Sequence, residues 1–322
     1  MTGDIKKIVV VGAGVMGHGI AQTFAQTGYE VSLVDMQSEI LTRARKLIEA
    51  SLATFAHEGL LTEKQIKGTI KHINFTTSLE DGARDADIAI EAVTEDAEIK
   101  KKVFVLLDKL CPPRTILASN TTSLNIFDIV QTSRPDKVIL CHWYAPPQIM
   151  PLVDLVKGPQ SSDEAIELMA RTLKIAGKKP VVMNKFISGF VIPRLQLAMQ
   201  REVFFLIDNG YLTPEDLDEA VKYSLAMRMM ILGVVQRIDF GGLDLTVKNL
   251  QNHYVQSQMT PLSYKPKKVF ELVAQGHLGV KTGKGFYDYH GKSEAEVYRE
   301  RDVKLIRMLK AMQELEANPP SQ

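Results

Sequence analysis

The sequence predicts an α/β fold, with a doubly wound parallel sheet in its first part and helices alone in its second part. Up to about residue 183, short β-branched runs alternate with amphipathic stretches, an order typical of parallel strands joined by helices. Beyond Lys185 the strand-like runs nearly vanish and helical periodicity replaces them. The length of 322 residues agrees with two domains, because one hydrophobic core rarely serves a chain of that size.

Seven runs in the first part are predicted as buried strands. They cover residues 8–11, 31–35, 88–93, 115–119, 138–141, 152–156 and 180–183. Helices are predicted at 17–26 and 163–176, with two more between the second and third of these strands. There, Thr62 and Gln65 have the spacing of a capping box. We therefore expect a first domain over residues 1–186.

A helical domain is expected over residues 187–290, followed by a charged helical tail over 291–322. Within the helical domain, the stretches 194–203 and 239–256 have the patterns best suited to bury faces against each other. The highly charged stretch 294–317 is predicted as a solvated helix or arm.

The composition excludes several classes of protein. A formal net charge of +1 offers no basic surface for nucleic acid or for an anionic membrane. No stretch of 18 uncharged apolar residues predicts a membrane span, and the first residues lack the apolar run of an export signal. Two cysteines, Cys111 and Cys141, are too few for a disulfide framework, so we expect a protein of the reducing cytoplasm. No metal site is expected.

A glycine motif, Gly-Ala-Gly-Val-Met-Gly, follows the first predicted strand and opens the first helix. Gly12 permits a tight turn, Gly14 lets the backbone approach a pyrophosphate, and Gly17 allows close packing of the helix. The N–H groups at the helix start, around Val15 and Met16, can bind phosphate. Alone, the motif also fits a glycine-rich turn of any α/β protein. Between a strand and a helix, it predicts a dinucleotide-binding Rossmann domain.

Asp35 ends the next predicted strand, where its carboxylate can accept hydrogen bonds from the adenosine ribose. A carboxylate at this position would repel the 2′-phosphate of NADP. Met36, Gln37 and Ser38 bring no cation to bind such a phosphate. The predicted cofactor is therefore NAD.

Six segments carry a family resemblance. They are GAGVMGHGIA at 12–21, ASNTTSL at 118–124, HWYAPPQIMPLVD at 142–154, SGFVIPR at 188–194, GGLD at 241–244 and GVKTGKGFY at 279–287. In order and spacing they resemble the 3-hydroxyacyl-CoA dehydrogenase family. The resemblance implies NAD-dependent interconversion of a 3-hydroxyacyl-CoA and a 3-oxoacyl-CoA in fatty acid metabolism. It also implies a homodimer, with the substrate bound in the cleft between the two domains.

The chemistry needs a base for the hydroxyl proton while a hydride leaves the same carbon, and histidine titrates in the right range. His142 follows a predicted strand and should lie at the carboxyl edge of the sheet, where ligands bind in doubly wound folds. Asp154 lies at the next strand, where it could hold the other ring nitrogen, although the family has a glutamate there. Thr122 matches the family's serine, whose hydroxyl contacts the substrate oxygen and the nicotinamide. Cys141 should point to the opposite face of the strand and be buried.

By resemblance, Glu95, Lys100 and Lys281 line the cofactor pocket. Asn120 is open to two interpretations, because it could contact the cofactor or, like Ser119, cap the helix that follows.

Two positions depart from the family pattern. Ala145 replaces an asparagine that contacts the nicotinamide region, and Pro193 replaces an asparagine that reaches the substrate. Because a site that loses such hydrogen bonds selects a different ligand, a free 3-hydroxy acid without coenzyme A is an alternative substrate. A non-catalytic NAD-binding protein is a further alternative.

Overall fold

The computed structural model describes residues 5–317, except for the side chains of residues 254–256. The chain divides into two compact units. The first unit takes the chain up to Phe190 together with the segment from Arg299 onward, and the second unit is Val191–Tyr298. This division falls a few residues after the predicted boundary at 186. It also assigns most of the predicted tail to the first unit.

The first unit is built around one sheet. Its strands in the described residues are β1 (Lys7–Val11), β2 (Glu30–Val34), β3 (Ile73–Thr76), β4 (Ile88–Glu91), β5 (Ile116–Ser119), β6 (Val138–Trp143), β7 (Leu152–Lys157) and β8 (Lys179–Met183). Their order is β3-β2-β1-β4-β5-β6-β7-β8. β6 and β7 run antiparallel, and the other neighbouring strands run parallel. The predicted doubly wound sheet is confirmed, with one antiparallel step added.

Helices connect most of these strands. They are α1 (Gly17–Gln26), α2 (Ser38–His57), α3 (Glu63–Lys71), α4 (Leu79–Ala83), α5 (Ala97–Leu110), α6 (Ile126–Ile129) and α7 (Asp163–Ile175). Both helices predicted between the second and third strands are present as α2 and α3. The capping box at the start of α3 is also confirmed, because the hydroxyl of Thr62 accepts from the N–H of Gln65, whose side chain accepts from the N–H of Thr62.

The seven predicted strands are all present, with ends shifted by at most two residues. β3 was not predicted; it is a four-residue strand that pairs with β2 alone and buries little more than Ile73. Two of these shifted strand ends lie at predicted site residues. β2 ends at Val34, so Asp35 is the first residue beyond it. β6 continues to Trp143, so the prediction that His142 follows the strand was wrong: it lies within the strand.

Two cores lie on the two faces of this sheet. One contains Phe24 of α1 and Leu52 of α2, and the other contains Phe104 of α5. Alternate residues of β6 face the two cores, so Cys141 and Trp143 belong to the first and Leu140 to the second. His142 therefore faces the side opposite to Cys141, as predicted.

The second unit contains helices and no strand in its described part. The helices are α8 (Ile192–Asp208), α9 (Pro214–Ala220), α10 (Met227–Leu232), α11 (Val235–Gly241), α12 (Leu243–Leu250), α13 (His253–Gln258) and α14 (Lys268–Ala274), with a π-helical segment, Val221–Ala226, before α10. The stretch 239–256 is thus interrupted, because Gly242 has a φ of 88° that no α-helix adopts.

Almost nothing is buried in the second unit of the single chain. Among its described residues, Thr260 and Leu272 are the buried ones. The prediction that 194–203 and 239–256 bury faces against each other is therefore wrong for a single chain. None of these helices has the span or apolar content to cross a membrane, and the same holds for the other described helices.

The last helix, α15 (Glu294–Ala317), has the bounds predicted for the charged helical stretch. Most of its side chains are exposed, but Ile306 is fully buried. Arg307 Nε pairs with Glu58 at 3.0 Å, and Lys179 Nζ pairs with Glu316 at 2.5 Å. This helix is therefore anchored to the first unit along one side.

Lys178 supports the connection between β6 and β7. Its buried ammonium group donates to the carbonyl oxygens of Pro147, at 2.6 Å, and Met150, at 3.0 Å. It also lies 5.5 Å from the centre of the Trp143 ring. Burial lowers the pKa of Lys178 to about 8, because the charged form loses its hydration.

Replacement of Lys178 by methionine should change how stability depends on pH. Between about pH 8 and 10.5 the unfolded chain keeps a proton on Lys178 that the folded chain releases, so stability rises with pH across this window. Lys178→Met should remove roughly 2–3 kcal/mol of that rise. Urea unfolding of both proteins at several pH values from 7.5 to 10.5 measures it. Parallel stability curves would contradict the shifted pKa.

Candidate active site

The glycine motif forms a tight turn between β1 and α1. Gly12 has a φ of 102°, and a Cβ on it would lie 2.5 Å from the carbonyl oxygen of Ala92. A Cβ on Gly17 would lie 1.7 Å from the carbonyl oxygen of Gly12. Both positions therefore require glycine for the packing of the chain itself. Around Gly14, by contrast, the space is open. This glycine leaves the backbone accessible to a ligand.

The start of α1 is free to bind a phosphate. Met16 occupies the N-cap position, and no described side chain caps the helix. Val15 next to it is 75% exposed. His18, which the sequence analysis did not consider, places Nδ1 2.8 Å from the carbonyl oxygen of Gly14. Burial lowers the pKa of His18, which disfavours a positive charge on its ring.

Asp35 lies beside the same turn. Its Oδ2 accepts from the N–H of Ala13 at 2.9 Å, and its Oδ1 accepts from the N–H of Gln37 at 3.1 Å. These bonds fix the carboxylate at the carboxyl end of β2. Each oxygen keeps a second lone pair that a ribose hydroxyl can use.

A buried ionic network lies at the ends of β4 and β5. Lys100 is 1% exposed, and its Nζ lies 2.7 Å from Glu91 and 3.3 Å from Glu95. Glu91, which is fully buried, also accepts from the hydroxyl of Ser119 at 2.5 Å. Glu91 is a site residue that was not predicted from the sequence. Its signal was an acid that directly ends the apolar run of β4, where an unpaired charge would be costly.

Glu95 shapes the segment that carries Thr122. Its Oε1 accepts from the hydroxyl of Thr121 at 2.5 Å and from the N–H groups of Thr122 at 3.0 Å and Ser123 at 2.9 Å. Burial raises the pKa of Glu95, but these hydrogen bonds and the charge of Lys100 outweigh it and lower the pKa to about 2. The ionised carboxylate thus holds the loop after β5 in one conformation, with Thr122 exposed.

Asn120 joins β5 to β6. Its Oδ1 accepts from the N–H of Trp143 at 2.8 Å. The prediction that Asn120 or Ser119 caps the following helix was wrong. Helix α6 begins only after Asn125, and the hydroxyl of Ser119 donates to Glu91. The Asn120 bond keeps the Thr122 loop beside the strand that carries His142.

His142 and Asp154 face each other across the antiparallel pair β6–β7. They are 5% and 1% exposed. Their closest atoms, His142 Nδ1 and Asp154 Oδ2, are 3.5 Å apart, which is within ion-pair distance. The approach does not have hydrogen-bond geometry, and Nδ1 has no hydrogen-bond partner among the described residues. The predicted pair is thus brought together without being hydrogen-bonded.

Aromatic rings enclose the imidazole of His142. The ring of Phe190 stacks on it with centroids 4.7 Å apart, and the ring of Tyr144 meets it edge-on at the same separation. Phe190 is fully buried and has a φ of 46°, a left-handed conformation that is uncommon for a bulky residue. Neither aromatic residue was predicted as part of the site, because these ring contacts join separate segments of the chain.

The remaining predicted positions are Ala145, Pro193 and Lys281. Ala145 is in the connection between β6 and β7, next to Pro146. Pro193 is in the first turn of α8, and Lys281 is in the short 3₁₀ helix Val280–Thr282; both belong to the second unit. The first unit therefore carries the glycine turn, Asp35, the Glu91 network and the His142–Asp154 pair.

Models of one protein family match the chain in two consecutive parts. The model described as 3-hydroxyacyl-CoA dehydrogenase, NAD binding domain, matches residues 7–186. The model described as 3-hydroxyacyl-CoA dehydrogenase, C-terminal domain, matches residues 189–289.

Individual relatives agree with these matches. A probable 3-hydroxybutyryl-CoA dehydrogenase of Bacillus subtilis is 39% identical over 293 residues, which cover 90% of this chain and 99% of the relative. The crystal structure of (S)-3-hydroxybutyryl-CoA dehydrogenase from Ralstonia eutropha is 32% identical, with a TM-score of 0.69 over 88% of this chain and 99% of that one. The crystal structure of a 5-formyl-3-hydroxy-2-methylpyridine 4-carboxylic acid 5-dehydrogenase, an NAD⁺-dependent dismutase, is 26% identical, with a TM-score of 0.85 over 96% and 99%. With both domain models matched in order, this chain belongs to the 3-hydroxyacyl-CoA dehydrogenase family.

Proposed function

We propose that this protein interconverts a 3-hydroxyacyl-CoA and a 3-oxoacyl-CoA with NAD as its cofactor. The observation that carries the proposal is the buried His142–Asp154 pair on β6 and β7, in the same sheet as the glycine turn and next to the Thr122 loop. Family membership and the relatives' printed activities support the same reaction.

The residues at the first turn fit a dinucleotide. Open space around Gly14 and the uncapped start of α1 suit a pyrophosphate, and Asp35 suits an adenosine ribose without a 2′-phosphate. When bound, NAD supplies the hydride acceptor. The cofactor contacts of Glu95, Lys100 and Lys281 stay predictions from the family resemblance; the Lys100 side chain is 1% exposed and pairs with Glu95.

We assign His142 as the base. Its Nδ1 faces Asp154, so Nε2 is the nitrogen offered to the substrate hydroxyl. The carboxylate of Asp154 stabilises the imidazolium that forms when Nε2 accepts the proton. The hydroxyl of Thr122 can donate to the same substrate oxygen as it becomes a carbonyl. In the reverse direction, the imidazolium returns the proton.

Replacement of His142 by glutamine should slow turnover strongly. Loss of a general base typically costs about 10²–10⁴-fold in rate, so kcat for NADH formation should fall by that factor. NADH affinity, followed by fluorescence titration, should stay unchanged, because His142 lies outside the glycine turn. His57→Gln on the exposed side of α2 is the matched control. Unchanged turnover would remove His142 from the mechanism.

A free carboxylic acid is the second candidate substrate. Ala145 and Pro193 replace two polar family residues, and the TM-score is higher for the pyridine carboxylate dehydrogenase, 0.85, than for the 3-hydroxybutyryl-CoA dehydrogenase of Ralstonia eutropha, 0.69. Sequence identity favours the thioester enzymes, with 39% for the Bacillus subtilis relative against 26%. We therefore place the thioester first.

A panel of NADH oxidants separates the two candidates. We expect kcat/KM for acetoacetyl-CoA to exceed that for free acetoacetate by about 100-fold or more, since remote contacts with coenzyme A contribute to transition-state binding. Bulkier 3-oxo acids complete the panel. Activity on free acids alone would overturn the thioester assignment, and no activity on any compound would favour a non-catalytic NAD-binding protein.

We also propose that the protein is a homodimer formed through its second unit. Large apolar side chains are exposed on α11 and α12, among them Phe240, Leu243, Leu245 and Leu250. A unit that buries only Thr260 and Leu272 among its described residues cannot offset the entropy of ordering its chain. A second copy, which the family resemblance implies, would provide the missing cover.

Light scattering should find a dimer at micromolar concentration, and Tm should rise with protein concentration, because assembly stabilises the folded chain. The double substitution Phe240→Glu and Leu245→Glu should yield a monomer with a lower Tm. Leu106→Glu on the exposed side of α5 is the matched control and should stay dimeric. A wild-type monomer whose Tm is independent of concentration would refute the dimer.

We further propose a cytoplasmic location. Cys111 and Cys141 are free and buried, and burial raises the pKa of their thiols to about 11 and about 12. Free cysteines are typical of proteins in a reducing compartment, and this supports the cytoplasm.

A further inference from the structure

Tyr144 contacts both members of the His142–Asp154 pair. It directly follows β6, and its hydroxyl donates to Asp154 Oδ2 at 2.6 Å. Its ring meets the imidazole of His142 edge-on, with centroids 4.7 Å apart and planes at 72°. The tyrosine is half-buried, so this contact forms in a partly desolvated environment.

The same carboxylate oxygen serves both neighbours. Asp154 Oδ2 is the atom that lies 3.5 Å from His142 Nδ1, and in the described chain the tyrosine holds the shorter and better-directed contact with it. A hydrogen bond to a carboxylate stabilises its charge and weakens its attraction for a proton nearby. The hydroxyl of Tyr144 therefore competes with the imidazole for Asp154.

We propose that Tyr144 is a positioning residue that acts through Asp154 and sets the pH range in which His142 is a neutral base. This inference rests on the proposed function. The hydroxyl of Tyr144 limits how strongly Asp154 stabilises the imidazolium, while its ring and that of Phe190 fix the plane of the imidazole. The pair then releases its proton at a lower pH than it would without the tyrosine.

Other titratable groups lie near this strand. They are Cys141 on the opposite face of β6, Lys178 beneath the β6–β7 connection, and Glu91, Glu95 and Lys100 beyond β5. Within the described chain, Asp154 is the acid at ion-pair distance from the imidazole. Phe190, on the stacked face, is uncharged. Tyr144 is thus the group placed to modulate the pair directly.

The test compares pH profiles of the wild type and Tyr144→Phe, which keeps the ring and removes the hydroxyl. In the oxidising direction the base must be neutral, so the rate rises with pH as the pair loses its proton. Without the hydroxyl, Asp154 holds that proton more strongly. The rising limb of the pH–rate profile should move to higher pH by about 0.5–1 pH unit. At pH values below the midpoint of this limb, the rate should therefore fall about three- to tenfold. In the reducing direction the imidazole must carry a proton, so the rate falls as the pH rises. This falling limb should also move to higher pH in Tyr144→Phe.

Two controls isolate the hydroxyl–carboxylate contact. In an Asp154→Asn background, Tyr144→Phe should cause no further shift, because the competing charge is absent. Tyr29→Phe removes a tyrosine hydroxyl at the turn before β2 and should leave the profile in place. An unmoved profile for Tyr144→Phe, or an equal shift in both backgrounds, would overturn the proposal.

An NMR titration tests the role of Tyr144 without relying on the proposed reaction. The ¹⁵N-labelled imidazole of His142, assigned with His142→Gln, can be titrated by NMR in the cofactor-free protein. Its midpoint should move to higher pH in Tyr144→Phe, and it should move to lower pH when 3-fluorotyrosine, a stronger donor, replaces Tyr144. If the fluorinated protein shows no shift, the proposal fails even where Tyr144→Phe does not fold. An inactive wild type with the expected NMR shifts would instead refute only the proposed substrate.

Discussion

The antiparallel register of β6 and β7 is the constraint on which the candidate site depends. It places His142 directly opposite Asp154, with both side chains buried on the same face of the sheet. A shift by one residue would send the two side chains to opposite faces. Other contacts keep this pairing in place: Lys178 holds the connection between the strands, and Asn120 ties β6 to β5. A site built on paired strands is held more rigidly than one built on loops.

The buried charged side chains of the first unit have different kinds of partner. Lys100 lies between two carboxylates, and this arrangement fixes the loop that presents Thr122. Lys178 has carbonyl oxygens as partners instead, and burial accordingly lowers its pKa. Asp154 shares one oxygen between Tyr144 and His142. The imidazole of His142 is thereby close to an acid without forming a hydrogen bond to it.

The two units differ in how far a single chain can stabilise them. The first unit has two cores around its sheet and carries the glycine turn, the Glu91 network and the His142–Asp154 pair. The second unit leaves most of its apolar helix faces exposed. Of the two positions that differ from the family pattern, Pro193 lies in this unit and Ala145 lies in the β6–β7 connection of the first unit. The first unit thus has a hydrophobic core on each face of its sheet. The homodimer proposed above would cover the apolar side chains that the second unit leaves exposed.

Local patterns were enough to predict much of this protein. The strand–glycine–helix order predicted the turn at Gly12, β-branched runs predicted all but one strand, and the sequence separation of His142 and Asp154 predicted neighbouring strands. These features depend on residues close in the chain, where steric rules and periodicity act directly. The Glu91–Lys100 contact, the stacking of Phe190 and the hydroxyl of Tyr144 on Asp154 were beyond prediction. Each requires side chains from separate segments to meet at a few ångströms, and such distances are set by the packing of the whole sheet.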